Sequence, residues 1–108
     1  MNQEIHEIKS LIEKINQEHI SYLEGLNSKV LLEIHLKDGS SVFVEISKDG
    51  LKTVKPDLKK TIQNQVILSF KDLKKLIDNP SNILRFLTTG RVKVKGNIRE
   101  IFEILEKL

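Results

Sequence analysis

The sequence predicts an α+β fold, a five-stranded, mainly antiparallel sheet with helices packed on one face, and three observations carry that prediction. The first 26 residues repeat apolar side chains at spacings of three and four, as an amphipathic helix does. Residues 30–55 alternate apolar and polar side chains around Asp-Gly pairs, as half-buried strands joined by turns do. The last forty residues hold helix caps, a glycine stop and a short alternating run in close succession.

In the first segment Ile5, Ile8, Ile12, Ile15, His19, Tyr22 and Leu26 make a seam, with Leu11, Ile20 and Leu23 beside it. The stripe is broader than the two positions per heptad of a coiled coil. A helix over about residues 2–25, packed across the protein's own sheet, is therefore expected. A dimer seam is the alternative. His19 reads as a tolerated half-buried polar residue within that stripe.

Val30, Leu32, Ile34 and Leu36 share one face of the first strand, with Leu31, Glu33, His35 and Lys37 on the other. In the second, Val42, Val44 and Ile46 lie opposite Phe43, Glu45 and Ser47. Asp38-Gly39 between them is expected to supply the positive φ values of a hairpin connection. Asp49-Gly50 leads into a third strand, Leu51–Lys55, which Pro56 ends. These three should form a meander with one face on the core and one in water. Residues 56–63, basic and polar, read as a connection.

Val66, Leu68 and Phe70 then alternate with Ile67 and Ser69 as a fourth strand. Ser69 doubles as an N-cap, with Asp72 completing the reciprocal pattern, and the helix that follows turns Leu73, Leu76 and Ile77 inward and Lys71, Lys74 and Lys75 to solvent. Asn79-Pro80 restarts the chain as a second helix. Its Ile83, Leu84, Phe86 and Leu87 are more apolar side chains than one stripe uses, so it should be buried on two sides or border a cavity. Gly90 stops it, and Arg91–Lys95 alternates as a fifth strand with valines inward. Gly96 turns the chain and Asn97 caps the last helix with Glu100 closing the box, over an apolar face of Ile98, Ile101, Phe102, Leu105 and Leu108. With no repeat or linker, residues 1–108 read as one domain, the helix at about 2–25 preceding a sheet and helices at about 28–108.

Composition narrows the function classes. The chain has no alanine, tryptophan or cysteine and one tyrosine, so Ile, Leu and Val supply nearly all the apolar volume. The longest apolar runs, Val30-Leu31-Leu32 and Val66-Ile67-Leu68, are far below the roughly 18 residues of a membrane span. Glu4, Glu7 and Glu13 interrupt the stretch where a secretory signal would be apolar. Net charge is +3 but polarised: residues 1–26 hold five Glu and two Lys, and residues 48–75 eight Lys and three Asp. That pattern fits either a solvated face or attraction to an anionic headgroup or membrane surface.

No constellation of reactive groups stands out. His6, His19 and His35 lack metal-ligand spacing, and no cysteine joins them. Glu33, His35 and Glu45 should share the outer face of the first hairpin, where cross-strand pairing is the ordinary outcome. No glycine pattern cradles phosphate. The basic strand Arg91, Lys93 and Lys95 has no stacking aromatic, which speaks against nucleic acid, and Phe43 is the one aromatic expected to face outward from the sheet.

From Val30 to Leu108 the order of signals resembles the sterol carrier protein 2 family, the sterol-transfer domain. The likeness rests on strands around Asp-Gly, a polar connection, a strand ending in Ser-x-x-Asp-Leu before a leucine-rich helix, then Gly, Arg/Lys, an alternating strand, Gly-Asn where the family commonly has Gly-Asp, and a closing helix. The resemblance implies a non-enzymatic carrier without cofactor, whose apolar tunnel between sheet and helices takes a sterol, fatty acid or fatty acyl-CoA. By inward phase, Leu32, Ile34 and Val44 are the sheet's candidate lining, with Ile83, Phe86 and Leu87, then Phe102 and Leu105, from the last two helices. Each reads equally as plain core. The alternative is a structural or interaction module with a filled core, pairing as a homodimer through the N-terminal seam. The implied partners are a hydrophobic small molecule and, transiently, a membrane surface. Family members often end in a peroxisomal Ser-Lys-Leu tripeptide; Glu106-Lys107-Leu108 matches only its last two positions, so a cytoplasmic protein is expected.

Overall fold

The computed structural model describes residues 3–106. Helix α1 (Gln3–Leu23) precedes strands β1 (Val30–His35), β2 (Ser41–Ser47) and β3 (Gly50–Val54). A 3-10 segment at Pro56–Lys60 leads to β4 (Asn64–Ser69) and α2 (Phe70–Asp78). A 3-10 turn at Pro80–Asn82, α3 (Ile83–Thr88), β5 (Lys93–Lys95) and α4 (Ile98–Glu106) complete the order.

The five strands run β3-β2-β1-β4-β5, antiparallel at every junction except the parallel pair β1–β4. Register lays apolar rows across one face: Val44, Leu32, Val66 and Val94 stand side by side, and Ile34 lies between Val42 and Leu68. Ile8, Ile15 and Leu23 of α1 pack on this face together with Phe70, Phe86, Ile101 and Ile104 from the other helices. Each such side chain contributes roughly 1.5–3 kcal/mol by leaving water, so the α+β reading, with helices on one face, follows from the inward phase of every strand. The expected α1 seam is rotated slightly: Ile5 and Tyr22 are 37% and 58% exposed, and Leu23 is buried instead. In α4, Ile104 is buried while Ile98 is exposed; Leu108 lies outside the described residues.

The outer face is not left to water. Leu31, Phe43 and Ile62 are buried there as a second cluster, with Val54 and Leu58 against them. Residues 56–63, expected to be a bare connection, thus cover the outer face through Leu58 and Ile62, and Phe43 is buried with the Lys59 ammonium 5.0 Å from its ring centre. The β1–β2 turn also departs from expectation. Only Gly39 has positive φ (+89°), and the bonds Gly39 N–H to Leu36 O (3.1 Å) and Leu36 N–H to Ser40 O (2.9 Å) define a three-residue loop with Gly39 as its left-handed residue.

Helix ends follow the local signals closely. Ser69 Oγ accepts the Asp72 N–H at 3.1 Å and Asn79 Oδ1 the Ser81 N–H at 3.3 Å. At the end of α3, Arg91 N–H reaches Phe86 O at 2.9 Å and Gly90 N–H reaches Leu87 O at 3.3 Å, the paired bonds of a Schellman ending. Val92 N–H also bonds to Phe86 O, so β5 begins only at Lys93 and is shorter than the alternation from Arg91 suggests.

Two asparagines tie distant segments together. Asn16, midway along α1, donates to Leu51 O at 2.9 Å and accepts Leu51 N–H at 2.8 Å, so one amide side chain pairs the edge of β3 as a further strand would. Asn64 is inserted into the α4 cap. Asn97 Oδ1 accepts the Glu100 N–H at 3.2 Å as expected, but Asn97 N–H donates to Asn64 Oδ1 and Asn64 Nδ2 donates to Glu100 Oε2, both at 2.8 Å. Gly96 makes room for this: at φ +100°, a Cβ there would strike the Asn64 side chain and stand 2.8 Å from Gln63 O.

Candidate ligand cavity

The inner face of the sheet is wider than the helices can cover by direct contact. A cavity of about 500 Å³ remains, within the roughly 300–1,000 Å³ of small-molecule sites. Leu32, Ile34, Val44, Val66 and Leu68 line it from the sheet. Ile8, Leu11, Ile12 and Ile15 of α1 line it as well, with Leu73 and Leu76 of α2, Ile83 of α3, and Phe102 and Leu105 of α4. Leu11, Ile12, Leu73, Leu76, Ile83, Phe102 and Leu105 are partly buried side chains that pack against the core and also border this space. Pro80, Ile77 and Leu84 continue the apolar lining outward, the last two 43% and 64% exposed.

Of the residues expected to line a tunnel, Leu32, Ile34, Val44, Ile83, Phe102 and Leu105 are brought together here. Phe86 and Leu87 are not. Phe86 is fully buried in the core and Leu87 packs against that core, while Ile83 and Leu84 in the first turn of α3 face the cavity. The reason is the short helix: its second turn is drawn down by the Schellman ending, and Phe86 lies under the Arg85 and Arg91 guanidinium groups, 5.6 and 5.2 Å from its ring centre. Sequence reasoning missed the α1 and α2 contributions. Their signal was present in the breadth of the α1 stripe and in Leu73, Leu76 and Ile77 on the inward side of the helix after Ser69.

Charged and polar side chains enter the lining from two elements, Lys14, Glu18 and His19 from α1 and Glu106 from α4. His19 Nδ1 is buried without a hydrogen-bond partner. Its Nε2 lies 3.8 Å from Glu18 Oε2, and its ring is 5.6 Å from that of Tyr22.

The outer face carries a separate charge cluster. His35 Nε2 and Lys59 Nζ stand 2.6 and 2.7 Å from the two Glu33 carboxylate oxygens. Partial burial pushes the Glu33 carboxyl up, but the hydrogen bonds and charges of His35 and Lys59 outweigh it and hold the group below its ordinary value. Glu45 does not join them; it lies 3.7 Å from Lys52 and 3.9 Å from Lys29. Among the described residues no group of three or more His, Cys, Asp or Glu is placed to hold a metal ion, and no helix is long and apolar enough to cross a membrane.

A family model described as the SCP-2 sterol transfer family matches residues 8–103. Among solved structures, the chain is similar to apo sterol carrier protein 2 from Yarrowia lipolytica, at 21% identity, TM-score 0.62, 87% of this chain and 78% of that one. Sterol carrier protein-2 like-3 from Aedes aegypti is 15% identical with a TM-score of 0.67, covering 93% and 94%. A sterol carrier protein domain 2 from Helicoverpa armigera is 16% identical with a TM-score of 0.64, covering 94% and 81%. At such identities the likeness shows the fold. No curated protein matches the chain significantly.

Proposed function

The chain belongs to the SCP-2 sterol transfer family, and from that premise we propose that it is a carrier: a sterol, fatty acid or fatty acyl-CoA enters the cavity and leaves chemically unchanged. The observation that carries this reading is the cavity of about 500 Å³ with a lining drawn mainly from Ile, Leu, Val and Phe. Burying ten methylenes contributes about 8 kcal/mol before the cost of association, so an alkyl chain binds such a surface without a reacting group. The same cavity weighs against a filled-core module. Ile8, Ile15 and Leu23, buried on the protein's own sheet, weigh against a dimer through the α1 seam. The carrier is expected to work in the cytoplasm, meeting membranes only to load and unload.

Native mass spectrometry of the purified chain is expected to show co-purifying lipid, and a fluorescent fatty acid is expected to bind saturably and to be displaced by unlabelled lipid. A chain free of lipid with no displaceable uptake would sink the carrier reading.

A further inference from the structure

Two of the large apolar side chains exposed among the described residues border one place: Ile77 near the end of α2 and Leu84 near the start of α3. With Pro80 between them they carry the cavity lining out to its mouth. Resting on the carrier reading, we infer that this α2–α3 corner is the protein's docking surface, and that its partner is a lipid bilayer with anionic headgroups. Ile77, Pro80 and Leu84 enter the bilayer, and the basic side chains beside them meet the headgroups.

Position argues for a bilayer as the occupant. The inner lining, Ile8, Ile34, Val44 and Val66, is buried, so a lipid entering or leaving crosses the exposed end of the lining. A protein seated on that end would block the route. A bilayer covers the same apolar side chains and also supplies the lipid, so the path from acyl chains to cavity is apolar throughout. Charge then selects the headgroup. Lys74 stands one turn before Ile77, Lys71 and Lys75 share its helix, and Arg85 follows Leu84; all four are exposed. Across residues 70–91 five basic side chains outnumber two acidic ones. Lys74 is held only weakly by Glu7, 3.7 Å away, because both groups are exposed. The opposite side of the mouth differs, with Glu18 of α1 and Glu106 of α4 exposed there beside Lys14. Residues 1–26 as a whole hold five Glu against two Lys. An anionic surface therefore attracts the α2–α3 side and repels α1. The protein docks tilted, the α2–α3 corner in the bilayer and α1 held away from it.

The chain has no tryptophan, so a single one reports a single site. Leu84→Trp is mixed with vesicles of phosphatidylcholine alone or of phosphatidylcholine with phosphatidylserine, and Ile98→Trp, exposed on the first turn of α4, is the control. On the phosphatidylserine vesicles, the Leu84→Trp emission is expected to move to the blue and to be quenched by brominated acyl chains, while Ile98→Trp stays as in water. Ile77→Ser combined with Leu84→Ser is expected to lower co-sedimentation with these vesicles at least about tenfold. Lys74→Glu combined with Lys75→Glu, outside the cavity lining, lowers it at least about fivefold and keeps the uptake of a fluorescent fatty acid offered without vesicles. Equal response of both reporters, or none from either, overturns the docking surface while fatty acid uptake leaves the carrier reading standing. A blue shift of Leu84→Trp that grows with protein concentration and needs no vesicles puts a second copy on the corner and overturns the bilayer. Phosphatidylcholine vesicles bound as tightly as those with phosphatidylserine overturn the anionic headgroup. A chain that takes up no fatty acid overturns the carrier reading, and with it the loading role of this surface.

Discussion

Asn64 is 5% exposed and places both ends of its amide on partners more than thirty residues away in sequence, Asn97 N–H and Glu100 Oε2. Truncating it to alanine leaves a donor and an acceptor of the α4 cap without partners. Asn64→Ala is expected to lower stability by about 1–3 kcal/mol, read as a fall in the urea midpoint at unchanged slope. Glu33 gives a prediction in pH. Its carboxyl titrates below the ordinary 4.5 in the folded chain, so its contribution is fully present above that value and is lost as pH falls through the folded one. The stability advantage of the unaltered chain over Glu33→Gln should therefore be greatest near neutrality and vanish in acid. It should stay within about 1 kcal/mol, because His35 and Lys59 are about half exposed and screened. An advantage that grows on acidification would contradict the assignment. These residues also mark where reading the sequence stops. Ser69, Asn79 and Asn97 were legible as caps because their partners lie within three residues. Asn16 and Asn64 were not, since their partners are brought near only by the finished fold, 33 to 36 residues away along the chain.

At the scale of elements, periodicity located the four helices and five strands of the described residues, because inward phase is a local property of the chain. What it could not show was competition for the same backbone groups. The run from Arg91 alternates like a strand, yet its first amides are taken by Phe86 O, and the strand shortens. The outer-face cover was also hidden, since Leu58 and Ile62 are isolated apolar residues in a basic stretch and show no period. The contact between α1 and β3 is the element-level feature most open to test. The Asn16 amide occupies both the N–H and the C=O of Leu51 at the β3 edge of the sheet. Asn16→Ala is expected to cost about 1–2 kcal/mol and, more tellingly, to speed amide hydrogen exchange at Leu51 relative to its β2 neighbours. If Leu51 exchanged no faster, the edge would not depend on that side chain.

The whole molecule sets the terms for function, because a cavity belongs to no single element. The sheet and α4 linings were legible, as phase fixes which strand residues face the helices. Which turn of α3 meets the cavity was not, because that depends on how the Schellman ending seats Phe86. Core and cavity should therefore respond in opposite ways to substitution. Phe86→Ala removes a fully buried ring from packed surroundings and is expected to cost about 3–5 kcal/mol. Ile83→Trp adds volume at a partly buried position beside about 500 Å³ of open space. It should leave stability within about 1 kcal/mol of the original, because the added ring meets a void rather than packed atoms. Lipid uptake should fall at least severalfold, since the space that held the ligand is now occupied. Uptake unchanged in Ile83→Trp, with stability retained, would mean that lipid binds elsewhere on the molecule. A large loss of stability would mean that the space beside Ile83 cannot admit a larger side chain, and by the same argument could not admit a ligand there.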